Sequence, residues 1–351
     1  MNEKIWEQLD LAEVNALVKQ MADTGTYSFS EIAAEIATGN FDGAVGMIGA
    51  FMADIFLPGI RDSKSLLAGI LVLGLFSMLL QYTFGVVKSR QVTDLAHYLV
   101  YLLLVLLLLT NFRQMMEMGQ DVLSLSRQFI AALVPAYCLS MSLAGGAVSA
   151  AVHYEFVLLL LYGMDYILAG LLLPLTQSYI FLVIMDGVDD RHRMKEFVKL
   201  LEKLISWAIR VCLIVTITIS GMQYSVSSQL DGVQKTVFQK AVGALPGIGD
   251  MSEAVTNVLL GSAGLIRNSI GVTALIFLFL ILLRPVWKLL CLSMTMKLAA
   301  ACVRMMGQNR LSDTITKIGD GGILVMRIVT CASIAFCVSV AMTMFVVKGG
   351  G

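Results

Sequence analysis

Three ionisable side chains interrupt the long apolar stretches of the sequence. Asp165, Arg210 and Arg327 lie inside or at the ends of runs that otherwise lack charge. A charged residue at the centre of a bilayer costs about 2.5–3.5 kcal/mol on insertion scales, so residues of this kind are often functional. They can equally mark a helix break or an interface, and an arginine side chain can extend to the headgroup region. Together with Gln81, a polar residue expected to join helices, they are the candidate pore, intramembrane polar or packing residues.

The sequence lacks the residue patterns of a catalytic or metal-binding centre. No GxxxxGK[ST] phosphate loop, HExxH pair, Ser-His-Asp set or pair of catalytic carboxylates can be assembled. The 3 histidines are scattered, and the 6 cysteines lie in apolar stretches without a CxxC pair. Cysteines in such surroundings are usually small buried residues. We therefore predict no catalytic residue, no metal site and no cofactor, and we predict that the protein is not an enzyme.

The composition places the candidate residues in a membrane protein. Of the 351 residues, 58% are hydrophobic and only 14% are charged, and the mean hydropathy is +0.81. A soluble domain is about 45–50% apolar and about 25% charged, which excludes a soluble enzyme, a disordered chain and a disulfide scaffold. The net charge of zero gives no indication of a nucleic-acid partner. The predicted fold is all-α, a polytopic helical membrane protein in contact with lipid.

The uncharged runs predict six to eight membrane spans. A run of about 20 apolar residues is long enough to cross a bilayer. Segment 128–185 is broken by Pro135, Asp165 and Pro174, and it contains either one crossing with a re-entrant piece or three short crossings. Segment 284–306 begins at Arg284, carries three further basic residues, and is predicted to be a surface or tilted helix. The runs favoured as spans are 65–87, 95–112, 204–224, 268–283 and 328–347.

The distribution of charge predicts two domains and an orientation. Residues 1–64 are expected to form extracytoplasmic amphipathic helices, and residues 65–348 a transmembrane domain with an external glycine-rich segment, 225–267. Basic residues are concentrated in 186–203 and 284–327, which the positive-inside rule places in the cytoplasm. The acidic N-terminus is then extracytoplasmic, and residues 189–203 are expected to lie along the membrane surface.

Small residues predict close helix packing in the middle of the chain. Ser142, Gly146 and Ala150 are spaced four apart. In lipid, such a ladder lets two helices approach closely and associate by van der Waals packing. These three residues are therefore the candidate helix-packing residues.

Two glycine-containing stretches resemble the stage III sporulation protein AE family. One runs from Ala244 to Ala254 and continues from Gly261 to Gly271. The other begins at Leu133-Val134-Pro135 and enters the Ser/Ala/Gly-rich segment that ends at Gly146. The resemblance extends from about residue 30 to the end of the chain. The residues of the first stretch that carry the family motif are Pro246, Gly247, Asp250, Gly261, Gly264, Arg267 and Asn268.

The resemblance implies a component of the channel that links the mother cell and the forespore in endospore-forming bacteria. It implies a multi-pass protein of the mother-cell membrane facing the forespore, which supports late forespore gene expression. The implied partners are the other stage III A-operon proteins, including a secretion-type ATPase and ring-forming proteins. The resemblance brings no catalytic residue with it.

Three functions remain open at the level of sequence. The first is an oligomeric membrane component of this secretion-like channel, built as a homo-oligomer. The second is a stand-alone secondary transporter, or permease, for a small solute, because transporters often bind their substrates at interrupted helices. The third is a passive scaffold that docks its partners through residues 1–60.

Overall fold

Long apolar stretches with few prolines favour continuous helices, and the structure consists of them. The computed structural model describes residues 64–79, 82–83, 90–143, 147–188, 193–242 and 249–346, and this part of the chain contains helices and no strand. The predicted all-α class is therefore confirmed. The helices are α1 Lys64–Leu79, α2 Arg90–Leu143, α3 Ala147–Met164, a π-helix Asp165–Leu172, α4 Leu173–Val188, α5 Lys195–Val242, α6 Gly249–Met305 and α7 Asn309–Val346.

Five helical segments of the described chain are long and apolar enough to cross a membrane. The shortest has 24 residues, about 36 Å at 1.5 Å per residue, against about 30 Å of hydrocarbon. Helix α1 is apolar but shorter. A polytopic helical membrane protein is therefore the class that the structure supports. The five segments are Tyr98–Pro135, Tyr154–Val188, Lys195–Met222, Leu282–Met305 and Asn309–Ala341.

Helix α2 continues through a segment that the sequence separates from its spans. The charged stretch 113–127 was expected to lie outside the predicted spans, yet it is helical throughout. Its charges lie on an exposed face, where Arg113 pairs with Glu117 at 2.8 Å. The opposite face buries Met115 and Leu123 against the other helices. Burial of this apolar face accounts for the unbroken helix.

The chain then returns in one helical rod made of α3, the π-helix and α4. The predicted break at Asp165 is a π-helix of 8 residues, and the α-helix resumes at Leu173 and contains Pro174. Between 147 and 188 the described chain has no re-entrant loop. Residues 147–188 therefore run in one direction, as expected for a single crossing rather than for three short crossings.

Two other predicted segments continue into the neighbouring spans without a break. Segment 189–203 was expected to lie along the membrane surface and to lead into the span 204–224, and from Lys195 onward it is the first part of α5, continuous with that span. Segment 284–306 is the second half of α6, with Pro285 inside the helix. Its apolar face is buried and packs on α7, which accounts for the continuous helix; that face includes Leu289, Leu292, Met296, Ala299 and Val303.

Helices α6 and α7 form a hairpin closed by a Schellman turn. Gly307 has a φ of 82°, a left-handed conformation that glycine adopts without steric cost. Its N–H donates to the carbonyl of Arg304 at 2.9 Å, and the N–H of Gln308 donates to the carbonyl of Val303 at 3.3 Å. These two bonds satisfy carbonyls that the end of a helix leaves without partners. The turn sends α7 back along α6.

Two ion pairs give the register of the hairpin. Lys297 Nζ lies 2.8 Å from Asp320 Oδ1, and Arg304 pairs with Asp313 nearer the turn. Residue numbers therefore rise along α6 as they fall along α7. Because α6 is a single helix, the predicted span 268–283 and segment 284–306 belong to one pass in the same direction.

Helices α5 and α7 run parallel. Arg327 Nη1 lies 3.4 Å from Ser206 Oγ, and the thiol of Cys331 donates to the carbonyl of Ile209 at 3.7 Å. Numbers on the two helices therefore rise together. The starts of α5 and α7, where the basic segments 186–203 and 284–327 lie, are at the same end of the bundle.

Helix α7 lies at the centre of the bundle. It contacts α2, α4, α5 and α6, and 56% of an apolar 18-residue stretch of it is buried, against 28–44% for the corresponding stretches of the other four segments. Glycines bring its neighbours close: a Cβ on Gly319 would lie 3.3 Å from Met296 Cβ, and a Cβ on Gly322 would lie 2.5 Å from Ser293 Oγ. The bundle core is therefore a helix surrounded by helices.

Candidate functional site

A polar cluster joins the end of α4 to α2 and α7. Asp186 is completely buried near the end of α4, and Lys317 Nζ of α7 lies 2.6 Å from its Oδ2. A buried charge requires a partner of opposite sign, because transfer from water to a low-dielectric interior costs several kcal/mol. The pair therefore supplies a charge balance that neither helix has by itself.

Arg310 covers the last carbonyls of α4. Its Nε donates to the carbonyl of Gly187 at 2.7 Å, and its Nη2 donates to that of Val188. The hydroxyl of Tyr101 on α2 donates to the carbonyl of Ile184 at 3.0 Å, and the Arg310 guanidinium lies 6.0 Å from the centre of the Tyr101 ring. A cation is favourable at a helix C-terminus, where carbonyls lack helical partners. Arg310 thus caps α4 from another helix.

Only glycine fits at position 187, because Tyr101 and Thr314 occupy the space beside its backbone. A Cβ at this position would overlap the Tyr101 hydroxyl and lie 2.7 Å from Thr314 Oγ1. Side chains of α2 and α7 therefore pack directly against the backbone of α4. Asp186, Lys317 and Arg310 are not among the residues predicted from the sequence. Asp186 follows an apolar run directly, whereas Arg310 and Lys317 lie in the polar stretch 309–320.

Asp165 has an ion partner on α2. Arg127 Nη1 lies 2.7 Å from Asp165 Oδ2, and the two side chains are 40% and 32% exposed. Since Asp165 begins the π-helix, the pair ties this irregular segment to α2. Its charge is balanced by Arg127, which is not among the residues predicted from the sequence.

Arg210 and Arg327, predicted separately from the sequence, line one cavity between α5 and α7. The cavity has a volume of about 390 Å³. Its lining is predominantly polar, and Arg327 reaches toward Ser206. We call it the basic cavity, and its lining residues are Glu202, Lys203, Ser206, Trp207, Arg210 and Arg327.

The structure does not describe the side chains of the other predicted residues. Gln81, Gly146, Pro246 and Gly247 fall outside the described residues. The remaining ones lie in helices whose side chains are not described there, so their roles stay predictions; they are Ser142, Ala150, Asp250, Gly261, Gly264, Arg267 and Asn268. Among the residues with described side chains, no group of three or more His, Cys, Asp or Glu could hold a metal ion.

Comparisons with known proteins agree with the family resemblance of the sequence. The chain matches the family described as stage III sporulation protein AE over residues 27–347. It is 24% identical over 291 residues to the stage III sporulation protein AE of Bacillus subtilis (strain 168), which covers 83% of this chain and 73% of that protein. No solved structure matches. Because the match extends over most of the sequence, including all the described helices, the chain belongs to the stage III sporulation protein AE family.

Proposed function

We propose that this protein is an oligomeric component of a membrane channel, or secretion-like complex, that links mother cell and forespore and supports late forespore gene expression. The observation that carries the proposal is the family match over residues 27–347, which gives the chain a role in sporulation. Five segments long and apolar enough to span a membrane suit such a component.

The central position of α7 favours a conduit between subunits. A helix occupies the middle of the bundle, and its neighbours approach it through glycines. A close-packed interior leaves few voids larger than a water molecule. A conduit for solutes therefore runs between copies of the chain in this proposal, which requires a homo-oligomer.

Large apolar side chains on the outside of the bundle supply surface for such contacts. On α2, Leu99, Leu102, Leu103 and Leu106 are all exposed. Such side chains suit either lipid or a neighbouring subunit, since lipid tails are as apolar as leucine. In the proposal, one part of this surface faces lipid and another faces the next subunit.

The proposed partners and location follow from family membership. Association with other stage III sporulation proteins is expected of this family. The finer proposal is that these include the secretion-type ATPase and ring-forming proteins, in the mother-cell membrane facing the forespore. Residues 1–64 are proposed to lie on the extracytoplasmic side, where they are available to partners.

The oligomer can be tested on the full-length protein purified in detergent. Light scattering combined with size-exclusion chromatography gives the protein mass, and electron microscopy gives the shape. We expect a closed ring of several copies. A strictly monomeric particle by both methods would contradict the homo-oligomeric conduit.

The role in sporulation is tested separately in cells. In a spore-forming bacterium that lacks its own family member, expression of this chain is expected to restore a reporter for late forespore genes. The control variant Gly163→Ala is expected to restore the reporter as the wild-type chain does, because a Cβ at this position has no atom within 4 Å. Failure of a stably produced chain to restore the reporter would argue against the proposed role.

A stand-alone transporter is the second candidate, because Asp165 begins a π-helix and π-helices are frequent at functional sites. The ion pair with Arg127 argues against it, since the carboxylate is already balanced. In proteoliposomes without partners we expect no solute flux. Flux that Asp165→Asn abolishes and that Glu117→Gln, an exposed carboxylate of α2, leaves intact would favour the transporter.

A further inference from the structure

The basic cavity contains more positive than negative charge. Lys203, Arg210 and Arg327 line it against a single carboxylate, that of Glu202. Ser206 adds a hydroxyl group. This set of donors suits an anion with several oxygen acceptors, because a guanidinium binds two oxygens at once and an ammonium acts as a point charge.

The two arginines of the cavity differ from several other basic residues on the long helices. Arg127, Lys297, Arg304 and Lys317 are each paired with an aspartate. Within the described part of the chain, neither Arg210 nor Arg327 has a carboxylate within 4.0 Å. The charge of the cavity is therefore not balanced by its own residues.

The cavity lies at the position where the uncharged stretches of α5 and α7 begin. Residues 211–230 and 328–347 are two uncharged stretches of 20 residues each, and they begin immediately after Arg210 and Arg327. Twenty helical residues extend about 30 Å, the thickness of the hydrocarbon core. Because α5 and α7 are parallel and in contact at Ser206 and Arg327, both enter their uncharged stretches near the same level.

The charge pattern of α6 changes near the same position along the bundle. The pair Lys297–Asp320 fixes its antiparallel register with α7. This register places the uncharged residues 268–283 beside the second half of α7, and Arg284 and Lys288 follow at the end nearer the cavity. Helices α5, α6 and α7 therefore change from uncharged to basic within about 9 Å of one another along the bundle, as expected at a membrane surface. Helix α2 differs, because its charged stretch 113–127 packs beside Val325 and Val329 of α7 through Gly119.

Trp207 marks the same level on the outer surface. Its side chain is 65% exposed, although it lines the cavity together with the charged residues. Tryptophan is enriched at the headgroup level, where its ring is in contact with apolar chains and its N–H with polar groups. The cavity thus combines cations, a hydroxyl group and an interfacial aromatic ring.

We propose that the basic cavity binds the phosphodiester headgroup of an anionic phospholipid. Arg210 and Arg327 hold the phosphate oxygens, Lys203 adds a charge, and Trp207 contacts the glycerol backbone and the upper part of the acyl chains. Basic pockets between transmembrane helices bind anionic headgroups by this chemistry. A soluble phosphate has the same oxygens, but a position beside uncharged helix surface and Trp207 favours the lipid.

The test is native mass spectrometry of the full-length protein purified in detergent and supplied with phosphatidylglycerol, phosphatidylcholine or inorganic phosphate. Wild type is expected to retain phosphatidylglycerol in preference to phosphatidylcholine. Arg210→Gln/Arg327→Gln is expected to lower this retention about 30-fold, since each basic residue near anionic lipid contributes a factor of about five. Inorganic phosphate in excess is expected not to displace the lipid.

The matched control is Lys195→Gln/Arg304→Gln, which removes the same total charge from two helices. Lys195 lies 8 positions before Lys203, about 12 Å along α5, and Arg304 pairs with Asp313, 14 positions or about 21 Å before Arg327 on α7. Both distances exceed the screening length of about 8–10 Å. Retention is expected to stay within about twofold of wild type. An equal loss in both double variants would overturn the site.

Other outcomes also decide the proposal. Equal retention of phosphatidylcholine would overturn the preference for anionic lipid, and arginine-dependent binding of inorganic phosphate without lipid retention would assign the cavity to a soluble anion. Arg210→Lys/Arg327→Lys keeps the charge and is expected to retain most of the lipid. If the glutamine double variant unfolds, Lys203→Gln alone is expected to reduce retention about fivefold at an unchanged unfolding temperature, and unchanged retention would contradict the proposal.

Discussion

Asp186 and Lys317 are 131 positions apart in the sequence and form the most deeply buried of the ion pairs between described residues. Their environment differs from that of Lys297 and Asp320, which are 36% and 32% exposed. Solvent screens an exposed pair, so its contribution is typically below about 1 kcal/mol. Removing one partner of a buried pair leaves the other charge without compensation. At the residue scale, burial rather than distance separates the two pairs.

Lys317→Met is expected to lower the free energy of unfolding by about 3–5 kcal/mol, because it removes the ammonium group that lies 2.6 Å from the buried Asp186 carboxylate. Lys297→Met is the matched control and is expected to cost less than about 1 kcal/mol. Denaturant unfolding of the purified protein in detergent measures both. Asp186→Asn/Lys317→Met is expected to recover most of the loss, and equal effects of the two lysine substitutions would contradict this assignment.

Packing between helices depends on the glycines of α7. Gly319 and Gly322 face α6, and Gly321 faces Ile180 of α4 and Phe112 of α2. Small residues let helices in lipid approach closely, and the association then rests on packing rather than on the hydrophobic effect. At the element scale, α7 is central because side chains of α2, α4 and α6 pack against its backbone at these glycines.

Gly322→Ala is expected to destabilise the α6–α7 hairpin by about 1–3 kcal/mol, as overpacking of a close-packed interior does. The new Cβ would lie 2.5 Å from Ser293 Oγ and 2.9 Å from Met115 Cε. The control Gly163→Ala has free space and is expected to be neutral or to stabilise by up to about 1 kcal/mol through helix propensity. Thermal unfolding in detergent compares them, and a neutral Gly322→Ala would show that the neighbouring side chains yield without cost.

The whole molecule has its basic segments at one end. The starts of α5 and α7 lie together because the two helices are parallel, and Arg310 at the start of α7 reaches the end of α4. The positive-inside rule predicts that this end is cytoplasmic. The structure shows that the two basic segments share an end; their side of the membrane stays a prediction.

Cysteines placed at Lys195 and Asn309 are expected to react from the same side of the membrane. In a background without the 6 native cysteines, a membrane-impermeant maleimide is expected to label both in inside-out vesicles and neither in right-side-out vesicles. Permeabilised vesicles of both kinds control for reactivity. Labelling of the two positions from opposite sides would contradict the parallel arrangement, and labelling of both from outside would reverse the predicted orientation.

The sequence by itself determined the class of the protein, its family and the position of its uncharged stretches. These are local properties: a run of apolar residues as long as a bilayer is thick requires a helix, since backbone groups in lipid must bond within the segment. The sequence also selected Asp165, Arg210 and Arg327. It did not predict that segments 113–127 and 284–306 continue their helices, because their charges resemble those of a loop or a surface.

Only the tertiary structure decided which of these residues meet. Asp165 is balanced by Arg127, Asp186 by Lys317, and Arg210 and Arg327 share a cavity. The pairing partners are 38 to 131 positions apart, so neither helix periodicity nor hydropathy contains a signal for them. Helix direction and register fix such contacts, and these depend on the side-chain packing of all the helices at once.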